Sequence, residues 1–303
     1  MKTIVLSDFG RPARLELLDV ETPRPKESEV LIRVHATTVT SGDVIVRNLP
    51  FPFRMVTRLA LGMSRDKMLG HELAGEIEAV GEGVTRFRKG DQVFASTGLA
   101  GGAYAEFICL PETGTVALKP ANLTDEEAAA IPVGALTALH FMRKANIQSG
   151  KKVLVYGASG SVGSYAVQLA RHFGAQVTGV CSATNVEWVR ALGADRIIDY
   201  THEDFSKSGE TYDVVFDAVG KVSESQCRSS LKENGLFLSV KSPASEEARG
   251  LVFLKELIEA GKLKPVIDRR YQLEQVADAH EYVGRGHKKG NVVLVVRHPD
   301  IPG

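Results

Sequence analysis

The chain holds little cysteine. Its three cysteines, Cys109, Cys181 and Cys227, are far apart and form no Cys-x-x-Cys pair. That excludes a disulfide scaffold and a cysteine-rich metal module, and it fits a reducing, cytoplasmic setting. No run approaches the ~20 apolar residues of a membrane helix, so no membrane partner is expected. After Met1 the chain enters a short apolar stretch, Ile4-Val5-Leu6, with none of the long apolar core of a signal peptide. Neither sign of charge is in excess, because 37 Lys and Arg oppose 37 Asp and Glu. A neutral total gives no footing to nucleic acid or another polyanion. Internal repeats and low-complexity segments are also missing.

What is present is enough apolar residue, 44% of 303, to fill a globular core. That length suits about two domains. To about Asn122 the chain reads as short strands between glycine turns. Val30–Ala36, Leu73–Val80 and Gln92–Ala95 are candidates, with turns at Gly81-Glu-Gly83 and Lys89-Gly-Asp91. No strong helical period interrupts them, which suggests a barrel-like β domain. The texture changes at Thr124, which with Glu127 forms a capping box opening the Ala128–Ala130 run. Strands and helices then alternate. Lys152–Tyr156, Gln176–Cys181, Arg196–Tyr200, Asp213–Asp217 and Leu236–Val240 are strands. Helices fall over Val162–Phe173 and Asn185–Leu192. This order predicts a parallel, doubly wound sheet. A helix over Glu246–Ala260, a strand near Pro265–Tyr271, a helix over Leu273–Val283 and a strand over Asn291–Val296 follow. From the residues alone these either extend the parallel sheet or return to the first domain.

Between the first strand of the alternating region and its helix lies Gly157-Ala-Ser-Gly160-Ser-Val-Gly163. A glycine loop here lets backbone N–H groups and a helix N-terminus face a pyrophosphate. The motif is weak alone, but the strand before it, the helix after it and the second β-α unit point to a dinucleotide. NAD-binding folds carry an acid at the end of the second strand. This chain has Cys181-Ser182-Ala183-Thr184-Asn185 there, without an acid and without a cation. The choice favours NADPH, with Ser182, Thr184 and Asn185 as donors to a 2′-phosphate. The alternative is that these polar groups only cap the next helix.

These residues, with Gly70-His-Glu-Leu-Ala-Gly75, Val80-Gly-Glu-Gly-Val84, Lys89-Gly-Asp-Gln-Val93, Gly102-Ala-Tyr-Ala-Glu106, Ala129-Ala-Ile-Pro132 and Leu192-Gly-Ala-Asp195, closely resemble the medium-chain dehydrogenase/reductase superfamily. The resemblance spans nearly the whole chain and is to the zinc-independent quinone oxidoreductase-like branch. It implies an α/β fold: a GroES-like β-barrel catalytic domain from residues 1–122 and 262–303, and a Rossmann domain over 123–261. It sends the last strand back to the catalytic domain and implies a cleft between the two domains. It also implies cofactor contacts at Thr137, Gly157, Ser159, Gly160, Ser161, Val162, Cys181, Ser182, Asn185, Tyr200, Val219 and Lys241.

In zinc-dependent relatives a Cys, the His of Gly-His-Glu and a second Cys bind the metal. Here Thr40 stands at the first position, His71 remains, and no cysteine lies near Pro132–Val133. One imidazole cannot replace three ligands, so no metal is expected. Without a Lewis acid the suitable chemistry is hydride donation to an acceptor already electrophilic, a quinone or an α,β-unsaturated carbonyl. Thr40, Ser41 and Tyr104 are candidate donors to the anion formed. Asp43 and His71 either join in proton transfer or only order loops, and Tyr104 either donates or only packs. Phe51–Ala60 reads as a lid over an apolar substrate or as ordinary surface. After Val240 only Lys241–Ser245 precede the next helix, too few for the sixth Rossmann strand of relatives. Five full strands are expected, with a monomer or a non-standard dimer and a loosely held nicotinamide. The alternative to a reductase is an NADPH-binding sensor or structural module with little turnover.

Overall fold

The computed structural model describes residues 1–6, 14–60, 69–245 and 247–298, without the side chains at 51, 54, 57, 58 and 60. The chain divides into two compact units. The first holds Met1–Val133, Glu247–Lys255 and Ile267–Gly303, and the second Gly134–Glu246 and Glu256–Val266. The division falls at Val133/Gly134 rather than 122/123.

In the first unit, β1 (Lys2–Leu6) pairs antiparallel with β2 (Leu15–Asp19). Then come β3 (Glu29–Thr38), α1 (Ser41–Asn48), α2 (Phe51–Ala60), β4 (Glu72–Val80), β5 (Gln92–Ser96), β6 (Phe107–Pro111), β7 (Val116–Leu118) and α3 (Asp125–Ala129). The short α3 packs on β3 and β4, which is why residues 123–133 belong with this unit. Its capping box forms: Glu127 N–H donates to Thr124 Oγ1 at 3.2 Å, and Thr124 N–H to Glu127 Oε2 at 3.0 Å.

The two helices α1 and α2 break the expected all-strand reading. In α1 the run Val44-Ile-Val46 is β-branched and hides the helix. The turn forms because Thr40 caps it, accepting from Asp43 N–H at 3.1 Å while Asp43 accepts from Thr40 N–H at 2.8 Å. In α2, Pro52 sits in the first turn, where its missing N–H is harmless. That helix leaves Phe53, Val56 and Leu59 exposed.

The second unit opens within α4 (Pro132–Lys144) and builds one parallel sheet from β8 (Lys152–Tyr156), β9 (Gln176–Cys181), β10 (Arg196–Asp199), β11 (Tyr212–Asp217) and β12 (Leu231–Ser239). Helices α5 (Ser161–His172), α6 (Val186–Ala191) and α7 (Glu224–Cys227) connect them. The strand order is β10-β9-β8-β11-β12, so among the described residues the sheet has the five strands expected and ends at β12. That strand starts five residues earlier than its apolar pattern suggests. Residues 232–234 are exposed and polar, and the pairing with β11 is irregular between Tyr212 and Val214. Leu154, Val180, Ile198, Tyr212 and Val215 form an apolar core of this unit.

Helix α8 (Ala248–Glu259) follows; its expected start at Glu246 lies outside the described residues. The chain then supplies β13 (Ile267–Gln272), α9 (Val276–Gly284) and β14 (Asn291–Val295). Strand β14 pairs antiparallel with β3 and parallel with β13. The chain end therefore completes the sheet β13-β14-β3-β4-β5-β7 of the first unit, with β6 on β3, as the family resemblance implies. The core of this unit includes Ile32, Val34, Leu73, Ile77, Val93, Val292 and Leu294, all fully buried. Each such side chain stabilises the fold by roughly 1.5–3 kcal/mol.

Candidate functional site

In the second unit all five strands are parallel, so the loops after them gather at one sheet edge. Tyr156, Cys181, Asp199, Asp217 and Ser239 end the strands there. The order reverses between β8 and β11, and the glycine loop leaves β8 at that switch point, where α/β sheets bind ligands. The loop is held from below: Gly157 N–H and Ala158 N–H both donate to Val180 C=O at 3.0 Å.

The three glycines differ in their reasons. Gly157 has φ +80°, and a Cβ there would lie 2.5 Å from Val219 Cγ1. A Cβ on Gly163 would lie 2.1 Å from Gly157 C=O, so the helix can pack on the loop only as glycine. Gly160 has neither reason: φ is −81°, and its Cβ would meet Gly157 C=O at 3.5 Å. Gly160 is also the N-cap of α5 and makes no side-chain cap. A loop residue with no side chain and an uncapped helix N-terminus are what an approaching phosphate requires.

Ser159, Ser161 and Val162 are half-buried on this loop. Gly134 abuts Ser161, whose Oγ would be 2.3 Å from a Cβ there. Thr137, one turn along α4 from Gly134, shares its face. Val219 and Lys241 lie on the turns after β11 and β12. Asp217, fully buried, shapes the first of these by accepting from Val219 N–H and Val222 N–H, each at 3.2 Å, and from Ser239 Oγ–H at 3.2 Å. No motif marked Asp217; its place as the last residue of a buried strand was the available signal.

After β9, Asn185 Nδ2 donates to Ser182 Oγ at 2.9 Å, Ser182 and Thr184 hydroxyls lie 3.3 Å apart, and Trp188 Nε1–H donates to Asn185 Oδ1 at 3.0 Å. These groups hold one another and make no side-chain cap to the helix. Cys181, expected among the cofactor contacts, is the last residue of β9. Its thiol is buried and pushed up to about 11, and its carbonyl accepts from Tyr200 N–H at 3.1 Å. Tyr200 itself is half exposed. Asp199, level with Cys181 in the sheet, is a carboxylate that the second-strand rule overlooks. It is engaged by Thr201 Oγ–H at 2.7 Å and His202 Nδ1 at 2.8 Å, which hold it down to about 2.

In the first unit the expected residues Thr40, Asp43, His71 and Tyr104 come together. Asp43 is fully buried. Its Oδ2 accepts from Thr40 N–H at 2.8 Å and Thr40 Oγ1–H at 2.6 Å. Its Oδ1 accepts from Gly70 N–H at 2.8 Å and lies 3.5 Å from His71 Nε2. Gly70 has φ +77°, and a Cβ there would strike Tyr104 N at 2.7 Å, so the turn before His71 needs glycine. His71 Nδ1–H donates to Gly98 C=O at 2.8 Å. Ser41 is exposed. Tyr104 is only 1% exposed, and its hydroxyl lies 3.2 Å from His280 Nε2. Its side chain packs in the interior of this unit.

Glu72, also buried, accepts from Thr38 Oγ1–H and from Val133 N–H, the latter at 2.7 Å. Lys288 lies on the loop before β14. Its ammonium donates to Gly290 C=O at 2.5 Å and burial lowers it to about 8, opposed by Glu72 and Asp268. Neither Lys288 nor His280 was marked by a motif.

This arrangement does not suit a catalytic zinc. Thr40 is committed to Asp43, His71 holds the second position, and the third position offers the Val133 N–H, a donor rather than a lone pair. Among the described residues no three His, Cys, Asp or Glu side chains converge as a metal site.

A GroES-like β unit, a switch-point glycine loop and a hydroxyl–carboxylate–imidazole cluster define a nucleotide-dependent oxidoreductase. Residues 26–120 match the alcohol dehydrogenase GroES-like domain, and residues 161–263 and 245–294 match models described as zinc-binding dehydrogenase. The 2-methylene-furan-3-one reductase of Solanum lycopersicum is 34% identical over 320 aligned positions, covering 99% of this chain and 79% of the relative. The chloroplastic NADPH-dependent alkenal/one oxidoreductase of Arabidopsis thaliana is 34% identical over 315 positions, covering 97% and 79%. The solved quinone oxidoreductase from Coxiella burnetii superposes with TM-score 0.88 at 29% identity, covering 98% of this chain and 99% of that one. The chain belongs to the medium-chain dehydrogenase/reductase superfamily, in its quinone oxidoreductase-like branch. Both plant alignments are longer than the chain's 303 residues, so those relatives carry residues that this chain lacks.

Proposed function

We propose that the protein is a metal-free, NADPH-dependent reductase of quinones or α,β-unsaturated carbonyls. The observation that carries this reading is the uncapped start of α5 behind Gly160, a glycine that the fold itself does not require. The second unit is the dinucleotide-binding domain and the first the catalytic domain. Gly157, Ser159, Gly160, Ser161 and Val162 would hold the pyrophosphate, with Thr137, Val219 and Lys241 nearer the nicotinamide. Ser182 and Asn185 would meet the adenosine ribose and its phosphate, beside Tyr200. The cofactor, when bound, supplies a hydride.

In the catalytic domain the exposed Ser41 hydroxyl is the group with a proton free to stabilise the resulting oxyanion, beside Thr40 and the partly exposed His71 ring. Asp43 is buried behind them and holds them in place. The plant relatives, a furanone reductase and an alkenal/one oxidoreductase, and the Coxiella quinone oxidoreductase suggest the acceptor classes. The three cysteines, none in a disulfide and two of them buried, support a cytoplasmic setting. The sheet's end at β12 and the short link to α8 support a monomer or a dimer formed elsewhere than this edge.

The chain has a single tryptophan, Trp188, bonded to Asn185 beside the ribose turn. Its fluorescence is therefore a direct reporter of cofactor binding. NADPH should quench it at lower concentration than NADH, and NADPH absorbance should fall on adding benzoquinone, phenanthrenequinone or a small enal. NADH preferred by about tenfold would overturn the cofactor assignment. Tight NADPH binding with no oxidation by any acceptor would favour the second reading, a binding module, which the shortened chain after β12 supports.

A further inference from the structure

Helix α5 starts at the glycine loop, and its other end lies about 18 Å away, at the amino ends of the parallel strands. There the second unit holds a cleft of about 590 Å³, the size of a small-molecule site. Its walls are the ends of α5 and α6, the turn before β10 and the stretch after α8. Four side chains of permanent positive charge, Arg171, Arg190, Lys262 and Lys264, line it with the imidazole of His172, and among the described residues no Asp or Glu does. The chain as a whole is neutral, so this excess of one sign is local.

The fold holds these cations in place. Leu263 is 1% exposed, while Lys262 and Lys264 on either side of it are exposed. The stretch is pinned to α5 by the buried Gln168: Lys264 N–H donates to its Oε1 at 2.8 Å, and its Nε2 donates to Lys264 C=O at 3.0 Å. Arg171 lies over Gly193, where its guanidinium donates to the carbonyl at 3.2 Å. A Cβ on Gly193 would lie 2.3 Å from Arg171 Cδ, so glycine leaves room for the arginine stem.

Helix ends attract cations, but here backbone groups already meet the last carbonyls. Leu169 and Ala170 C=O accept from Phe173 and Ala175 N–H, and Trp188 and Arg190 C=O from Leu192 and Gly193 N–H. Carboxylates at the rim offset part of the charge: Arg190 meets Glu187 at 2.8 Å, and Arg171 lies 3.7 Å from Asp195. Lys262 and Lys264 join no ion pair among the described residues. Burial, and after it Lys262, holds the His172 imidazole below its ordinary range. We propose that this cleft binds a small phosphate-bearing anion. Phosphate oxygens accept several charge-assisted bonds at once from ammonium and guanidinium groups. The charge is gathered in one cleft rather than spread along a face, which favours a small ligand over a nucleic-acid strand. The site shares no residue with the glycine loop and stands apart from the choice of cofactor.

The test is calorimetric titration of the full chain with pyrophosphate as the probe. Both lysines are exposed, so the double variant Lys262→Ala, Lys264→Ala should keep the fold and bind pyrophosphate about tenfold more weakly than wild type. Gly160→Ala, at the other end of α5, should change this binding by less than about twofold. Proton NMR then locates the ion. The His172 ring signals, assigned by their loss in His172→Gln, should shift when pyrophosphate is added to wild type and stay still in the lysine variant. Binding lost in Gly160→Ala and kept in the lysine variant would place the ion on the glycine loop and overturn the proposal. So would unmoved His172 signals in wild type, or no saturable binding below about 10 mM. A short single-stranded oligonucleotide bound more than about tenfold tighter than pyrophosphate, through the same two lysines, would make the cleft part of a nucleic-acid surface and overturn it as well.

Discussion

Alanine at Gly160 and at Gly163 separates what the ligand needs from what the fold needs. A methyl group at 160 meets Gly157 C=O at 3.5 Å and Val219 Cγ1 at 4.0 Å, ordinary contact distances, on a backbone with φ −81°. Alanine caps a helix slightly worse than glycine, but it also lowers the entropy of the unfolded chain. The two effects nearly cancel, leaving stability within about 1 kcal/mol of wild type. At 163 the same methyl would sit 2.1 Å from Gly157 C=O and 2.8 Å from Gly157 C, both backbone atoms. The loop must shift, at a cost of roughly 1–3 kcal/mol.

A dinucleotide reverses the ranking. A phosphate close to the backbone at Gly160 has no room for a methyl, and the loss of one good contact is about 1.4 kcal/mol, or about tenfold in Kd. Urea unfolding and NADPH titration through Trp188 fluorescence measure the two quantities separately. Gly160→Ala should unfold nearly like wild type yet bind NADPH at least about tenfold more weakly. Gly163→Ala should be the less stable of the two. Wild-type NADPH affinity in Gly160→Ala would refute the phosphate role of this loop. Equal destabilisation of both variants would show that Gly160 serves the fold.

Acid should destabilise the protein through His280, lowered from 6.5 to about 4. The unfolded chain takes up this proton below pH 6.5 and the folded chain only near pH 4. Stability is therefore complete above 6.5 and falls by roughly 3 kcal/mol on the way to pH 4; urea unfolding of His280→Gln should show a flatter profile over that window. Thr124→Ala removes the α3 cap and should lower stability by about 0.5–2 kcal/mol, read as a lower urea midpoint at unchanged slope. Cys181 and Cys227, each pushed up to about 11 by burial, should resist iodoacetamide at pH 8 in the folded protein. Rapid alkylation of either would contradict the packing at the ends of β9 and α7.

Much of the fold was legible because it is written in local patterns. Gln176–Cys181 is a strand in both readings, and the Thr124–Glu127 box caps the helix it announces. These depend on neighbours a few residues apart, where side-chain period and capping chemistry act directly. Helix α1 was missed for the same kind of reason. Its Val44-Ile-Val46 core carries strand propensity, and the Thr40–Asp43 box that nucleates it was read only as site chemistry. The start of β12 was missed because exposed strand residues need not be apolar.

The cofactor edge was readable from glycine spacing, but the catalytic cluster was only half so. Thr40, Asp43 and His71 lie in recognisable motifs, whereas Tyr104 and His280 are 176 residues apart and meet only when β14 brings the chain end back to β3. No spacing rule reaches that far. One trace of the pairing was nevertheless present. Val276, Ala279 and Val283 mark the buried face of α9, and His280 lies on that face, four residues beyond Val276. A histidine on the buried face of a helix must find a partner, because an unpaired ring nitrogen there costs free energy. The sequence thus posed the question that Tyr104 answers, although only the folded chain could supply the partner.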